Sequence, residues 1–143
     1  MINVVLDSNV LVAAMRSRLG ASFQLLKEWE VQRFTALASV PLFLEYESVL
    51  KRPEQLRISG LSNRDVDIVL AQWASWVEPV ILHYLWRPRL ADAKDELVLE
   101  TAVNGQAEAI VTFNTSDFKN AAASFNVEVW SPAYLLKLIR RGR

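Results

Sequence analysis

Short apolar runs alternate along this chain with longer segments that have helical periodicity. The first run, residues 2–6, is rich in β-branched residues, and all the runs are too short for helices, so we interpret them as strands. The predicted strands cover residues 2–6, 34–38, 78–85, 109–113 and 127–130. The predicted helices cover residues 9–15, 20–31, 41–51, 62–76, 93–104 and 132–140. Because parallel strands need crossover helices, this order predicts a three-layer α/β/α fold with a mainly parallel central sheet of about five strands.

The length and composition predict one globular domain over residues 1–143. The chain has 143 residues, of which 52% are hydrophobic, and contains no linker or repeat. No apolar run approaches the roughly 18 residues of a membrane span, and the first residues lack the basic segment of a signal peptide. We therefore expect no membrane association and a cytoplasmic location.

The residue inventory excludes several kinds of active site. The absence of cysteine excludes zinc–thiolate sites and thiol nucleophiles. His83 is the only histidine, which excludes a two-histidine ribonuclease, and we expect it to have a packing or surface role. The four glycines are too scattered for a Rossmann fingerprint or a P-loop. Carboxylates remain, and several of them at one point suit hard cations such as Mg²⁺ or Mn²⁺.

The first candidate acid is Asp7, which ends the apolar run at residues 2–6. A carboxylate at that end of a parallel strand lies at the edge where α/β proteins bind ligands. Ser8 and Asn9 follow it as candidate hydrogen-bonding supports. Asp7 is also well placed to cap the helix predicted next, and one role does not prevent the other.

Two predicted helices supply further candidate acids. Glu45 and Glu47 lie on opposite shoulders of the apolar stripe of the third helix, so helical periodicity does not choose between them. Asp92 suits the N-cap of the fifth helix. Asp95 lies on the apolar stripe of that helix, where an acid is costly unless something pairs with it.

The segment from Thr112 to Asp117 repeats the arrangement at Asp7, because polar side chains again follow a buried run. Its candidate functional residues are Thr112, Asn114 and Asp117. The alternative interpretation is a turn in which Asn114 and Asp117 bind the backbone. The segment alone does not favour either interpretation.

Four stretches in this order resemble the PIN-domain ribonucleases, and most closely the VapC-like toxin components of toxin–antitoxin pairs. The stretches are Val4–Val10, Leu44–Leu50, Asp92–Glu96 and Ile110–Phe118, and together they span nearly the whole chain. The resemblance implies a PIN-type fold and an endoribonuclease that depends on one or two Mg²⁺ or Mn²⁺ ions. It also implies RNA as substrate, a small antitoxin protein as partner and a homodimer.

The resemblance assigns metal-binding roles to three of the acids. Asp7 would be the first, Glu45 the second and Asp95 the third. Glu45 is chosen over Glu47 because the family's glutamate stands four residues before the valine of a Val-Leu pair, here Val49-Leu50.

The fourth position departs from the family pattern Thr-x-Asp. This chain has Thr112 and, two residues later, Asn114. Asn114 would coordinate through its carbonyl oxygen, and Asp117 would supply the carboxylate. Ser8, Asn9 and Thr112 would orient the ligands by hydrogen bonding.

Two arginine pairs are candidate contacts to RNA phosphate, and a generic surface position explains each pair equally well. Arg16 and Arg18 follow the first predicted helix, and Arg87 and Arg89 follow the strand predicted at 78–85. The formal net charge is zero, so a nucleic acid would have to be bound by a local patch of this kind.

Two other functions compete with RNA cleavage. Asn114, in place of an acid, motivates a PIN-like module that binds RNA or protein without catalysis. A phosphatase with Asp7 as nucleophile would need a second acid where Asn9 stands, and ranks low. Trp73 and Trp76 form an aromatic stripe that either packs in the core or forms an interface with another chain.

Overall fold

The computed structural model describes residues 1–83 and 93–142, and it contains a five-stranded sheet. The strands are β1 (Asn3–Leu6), β2 (Thr35–Ala38), β3 (Glu78–Pro79), β4 (Ala109–Val111) and β5 (Glu128–Trp130). Their order across the sheet is β3-β2-β1-β4-β5, and every neighbouring pair is parallel. β1 is therefore the central strand. The predicted α/β class and mainly parallel sheet are confirmed.

Eight helices accompany the strands in the described part of the chain. They are α1 (Ser8–Arg16), α2 (Ala21–Glu30), α3 (Val40–Leu50), α4 (Pro53–Ser59), α5 (Asn63–Trp76), α6 (Ala93–Asn104), α7 (Thr115–Ala123) and α8 (Pro132–Arg140). The chain steps from β1 to β3 in one direction and returns through β4 to β5 in the other. Right-handed crossovers in opposite directions lie on opposite faces of the sheet, which gives three layers. None of the described helices is long and apolar enough to span a membrane.

The core lies around the two central strands. Val4 and Val5 in β1 and Ile110 in β4 are completely buried, as expected for parallel strands covered on both faces. Trp73 is buried and Trp76 half-buried, and their rings lie 6.2 and 5.3 Å from the ring of a core tryptophan in α2. Core packing therefore explains the aromatic stripe.

Within the described residues, the strand predicted at 78–85 is wrong beyond Pro79, because residues 80–83 are not in a strand. β3 pairs only with the last two residues of β2, and the N–H of Val80 donates the last ladder bond to the carbonyl of Ala38 at 2.9 Å. β2 ends there because Ser39 caps α3, so residues 81–83 have no neighbouring strand to pair with in the described part of the chain. The last two residues of the prediction lie outside the described residues.

The structure contains two short helices that the patterns above do not predict. α4 begins at Pro53 and is followed by Gly60, which has a left-handed φ of 76°. A proline at the start and a glycine just past the end are a recognisable helix signal. α7 has Asn114 at its N-cap, so the segment after β4 forms a helix and not the isolated turn.

Candidate functional site

A cavity of about 320 Å³ lies at the carboxyl ends of β1 and β4. Parallel α/β sheets bind their ligands at this edge, where helices on the two faces diverge. Its walls come from the starts of α1 and α6, the end of α3 and the segment around α4. The lining residues are Asp7, Ser8, Asn9, Val12, Arg16, Val49, Arg52, Glu54, Gln55, Lys94, Asp95 and Asn114.

Asp7 is the buried acid of this cavity. Its backbone N–H extends the sheet ladder by donating to the carbonyl of Val111 at 2.9 Å, and only 7% of the residue is exposed. Asp7 occupies the N-cap position of α1, but its side chain makes no capping hydrogen bond. Burial raises the pKa of the Asp7 carboxyl, and hydrogen bonding, chiefly from Thr112, lowers it by less.

The Thr112 hydroxyl connects β4 to Asp7. It donates to Oδ2 of Asp7 at 2.7 Å and accepts hydrogen bonds from the Asn9 side chain at 3.3 Å and the Asn114 backbone N–H at 3.0 Å. Thr112 is completely buried. A single hydroxyl thus fixes the orientation of the carboxylate and the path of the chain after β4.

Tyr46 attaches α3 to the strand that carries Asp7. Its buried hydroxyl donates to the carbonyl of Leu6, the residue before Asp7. Burial, and secondarily the negative charge of Asp7, raises the pKa of Tyr46 far above its ordinary value. The phenol therefore stays a neutral donor at any physiological pH.

Glu45 and Glu47 have different surroundings on α3. Oε1 of Glu45 is buried, lies 3.6 Å from Nζ of Lys94 and accepts no hydrogen bond within the described part of the chain. Glu47 is bound at 2.7 Å by Lys51, which also contacts Asp67 at 2.6 Å. Glu45 thus neighbours the cavity-lining Lys94, whereas Glu47 belongs to a separate surface ion-pair cluster.

The remaining predicted ligands lie at different depths. Asp95 is half-buried in the first turn of α6 and lines the cavity, as does the exposed Asn114. Asp117 is exposed in the first turn of α7 and is not among the lining residues. The structure therefore brings Asp7, Asp95 and Asn114 to one cavity, with Glu45 beside it and Asp117 outside its walls.

The candidate RNA contacts are divided in the same way. Arg16 lines the cavity, whereas Arg18 is exposed in the turn after α1. Arg87 and Arg89 lie outside the described residues, as does Asp92. The only histidine is exposed and does not line the cavity.

Several cavity residues are absent from the predicted set. Arg52, Glu54 and Gln55 enter through α4 and the residue before it, and Lys94 enters beside Asp95. The Pro53 and Gly60 signal marks α4 as a helix, but no pattern in the sequence places that helix against the end of α1. Lys94 was adjacent to a predicted ligand and could have been proposed on that ground.

The donor set of the cavity fits a hard divalent cation. Asp7 and Asp95 contribute carboxylates, Asn114 an amide oxygen, and Glu45 brings a buried carboxylate oxygen without a hydrogen bond to the margin. Oxygen ligands of this kind suit Mg²⁺ or Mn²⁺. Within residues 1–83 and 93–142, no three acidic or histidine side chains are grouped closely enough to hold an ion. Oε1 of Glu45 faces Lys94, so Glu45 would have to exchange Lys94 for a metal in order to bind it.

Comparison with known proteins identifies related folds. A family model described as PIN domain matches residues 3–116. No curated protein sequence matches the chain. A chain in the crystal structure of VapBC2 from Rickettsia felis, bound to a DNA fragment from their promoter, matches with a TM-score of 0.61 and 19% sequence identity. The match covers 91% of this chain and 98% of that chain, which shows a shared fold over nearly the whole length.

Proposed function

The chain belongs to the PIN domain family, and we propose that it is a metal-dependent endoribonuclease that acts as the toxin of a toxin–antitoxin pair. The observation that carries this proposal is the buried Asp7 carboxylate, held by Thr112 at the wall of a cavity that Asp95 and Asn114 also line. Burying an ionised carboxylate is costly unless a ligand or partner compensates for it. A cation is the simplest compensating ligand for such a group.

In phosphodiester hydrolysis, we expect one group of residues to bind the metal and another to orient its ligands. Asp7, Glu45 and Asp95 would hold Mg²⁺ or Mn²⁺, with Asn114 and Asp117 as further ligands at the exposed side. The cation supplies Lewis acidity that activates water and stabilises the leaving oxygen. Thr112 would keep the Asp7 carboxylate in one orientation, with Asn9 bonded to the Thr112 hydroxyl and Ser8 hydrogen-bonded to Asp7.

The proposed toxin role also implies protein partners. We propose a small antitoxin protein and a homodimer, because the structurally similar chain comes from the crystal structure of VapBC2. Expression of the chain in a bacterial host should arrest growth, and co-expression of the product of an adjacent reading frame should relieve the arrest. Growth unaffected by the wild-type chain would contradict the toxin role without touching the nuclease.

The nuclease is tested by incubation with a mixed pool of single-stranded RNA and Mn²⁺. We expect cleavage by the wild type, none after chelation and none by Asp7→Asn. Asp67→Asn is the matched control, because Asp67 is exposed and lies in the surface ion-pair cluster. A DNA pool of the same sequences separates a ribonuclease from a general nuclease.

Three outcomes would contradict the proposal in different ways. Cleavage that survives chelation or the Asp7→Asn change would overturn the mechanism. RNA binding without cleavage, insensitive to both, would identify a binding module instead. Cleavage of DNA and RNA at equal rates would keep the metal mechanism but reject RNA as the specific substrate.

A further inference from the structure

The cavity has a second, basic end that the reaction described above does not use. Arg16, in the last turn of α1, and Arg52, immediately before α4, are both exposed and line it there, together with Glu54. Gln55 forms part of the same wall but is only 4% exposed. This end therefore combines two guanidinium groups, one carboxylate and a buried amide.

The orientation of the Gln55 amide is fixed by Arg16. Its Oε1 accepts two hydrogen bonds, from Nε of Arg16 at 3.0 Å and from Nη2 at 2.7 Å. Arginine can only donate, so the carbonyl oxygen must face the guanidinium and the Nε2 amino group must face away from it. The opposite orientation of the amide would place the Nε2 donor against the Arg16 donors, so the chemistry of the pair excludes it.

The Nε2 group of Gln55 is a buried donor without an acceptor. It is shielded from solvent and makes no hydrogen bond within residues 1–83 and 93–142. An unsatisfied buried donor costs folding free energy that an apolar side chain of the same size would avoid. A ligand in the cavity that accepts a hydrogen bond from Nε2 would explain why a buried, unsatisfied donor stands in its wall.

We propose that Gln55, Arg16 and Arg52 form a subsite for an RNA backbone phosphate next to the one that is cleaved. The three side chains present only donors, and the two arginines outweigh the single charge of Glu54, so the subsite selects an anion with several acceptor oxygens. Asp7 and this subsite line the same cavity, so one strand could reach both. The inference rests on the proposed nuclease function and adds a positioning role for Gln55.

The decisive variant is Gln55→Glu. It keeps a carboxylate oxygen for Arg16, so the contact that holds α4 to α1 survives, but it replaces the free donor by a negative charge. The measurement is the binding of a fluorescent single-stranded RNA to the full chain in chelator, where no cleavage occurs. We expect affinity to fall at least about tenfold, equally for four homopolymers, with no loss of melting temperature.

Two controls separate the subsite from a general charge effect. Gln72→Glu makes the same change at an exposed position on α5, and it should leave RNA affinity within about twofold. Arg52→Gln should weaken binding and reduce its salt dependence. Arg57→Gln, on an exposed residue of α4 that does not line the cavity, should change neither.

The outcomes distinguish this inference from the proposed function. Wild-type cleavage with unchanged affinity in Gln55→Glu overturns the subsite and leaves the nuclease intact. Loss of affinity for one homopolymer only would mean that Gln55 contacts a base, which also overturns the phosphate assignment. A wild-type chain that neither binds nor cleaves RNA overturns both.

Discussion

Removing the Thr112 hydroxyl is the most informative single change at the site. Thr112→Val keeps the branched shape of a completely buried side chain but deletes the donor to Asp7. It also removes the acceptor of the Asn114 N–H. A hydrogen bond to a charged group contributes about 1.5–3 kcal/mol, and the partly buried Asn114 N–H that loses its acceptor adds to the cost. We therefore expect the free energy of unfolding to fall by about 2–3 kcal/mol.

The loss of unfolding free energy in Thr112→Val should depend on pH, and the surroundings of Asp7 determine the sign of that dependence. Burial raises the pKa of Asp7, so its ionisation destabilises the fold as pH rises through that raised pKa, and the Thr112 bond offsets part of this effect. Without Thr112 the pKa rises further. The difference between wild type and Thr112→Val should be largest above both pKa values and should shrink as the pH falls below them.

The assay is urea unfolding of the metal-free protein over a pH series. For a chain of 143 residues, about 4 °C per kcal/mol also predicts a melting temperature lower by roughly 8–12 °C near neutral pH. Thr112→Ser is the matched control, because it keeps the hydroxyl and loses one methyl group. A pH-independent loss, or one no greater than that of Thr112→Ser, would refute the reasoning.

Three further predictions concern neighbouring positions. In chelator at neutral pH, Asp7→Asn should have a higher melting temperature than wild type, because the raised pKa of Asp7 marks a destabilising carboxylate. Mn²⁺ should raise the melting temperature of wild type but not that of Asp7→Asn. An equal rise in the two proteins would contradict Asp7 as a ligand. Tyr46→Phe leaves the Leu6 carbonyl without its donor and should cost about 1–2 kcal/mol by urea unfolding. Gly105→Ala would place a Cβ 2.8 Å from Cγ2 of Val80, and should lower the free energy of unfolding by about 1–3 kcal/mol in urea. An unchanged urea midpoint would mean that Val80 moves aside at no cost in stability.

The fold could be predicted because its signals are local and repeated. Strand β1 is marked by its own apolar run and helix α6 by its own helical pattern, and a run of β–α alternation has few alternative architectures. The strand predicted at 78–85 is longer than β3, because the length of a strand depends on the length of the strand it pairs with. β2 stops at Ala38, and no property of the apolar run after Pro79 reports where its partner ends.

The site was predictable only in part for a related reason. The position of Asp7 in the cavity wall could be predicted, because a carboxylate at the end of a buried strand lies at the ligand-binding edge of a parallel sheet. Gln55 could not, because its significance arises from a hydrogen bond to Arg16, 39 residues earlier in the chain. Similarly, periodicity leaves Glu45 and Glu47 equivalent. The family resemblance favours Glu45, and the structure gives the two acids different lysine partners.

The central position of β1 limits how this protein can be regulated. Asp7 continues a strand that is paired on both sides, and its own amide is bonded to β4. Central strands open only with the whole domain, so the Asp7 amide should exchange with solvent as slowly as the most protected core amides. A regulator cannot switch the site off by loosening this acid without unfolding the protein. A regulator must instead fill the cavity or cover its opening. Asp7 would then keep the same position when the regulator binds and when it dissociates.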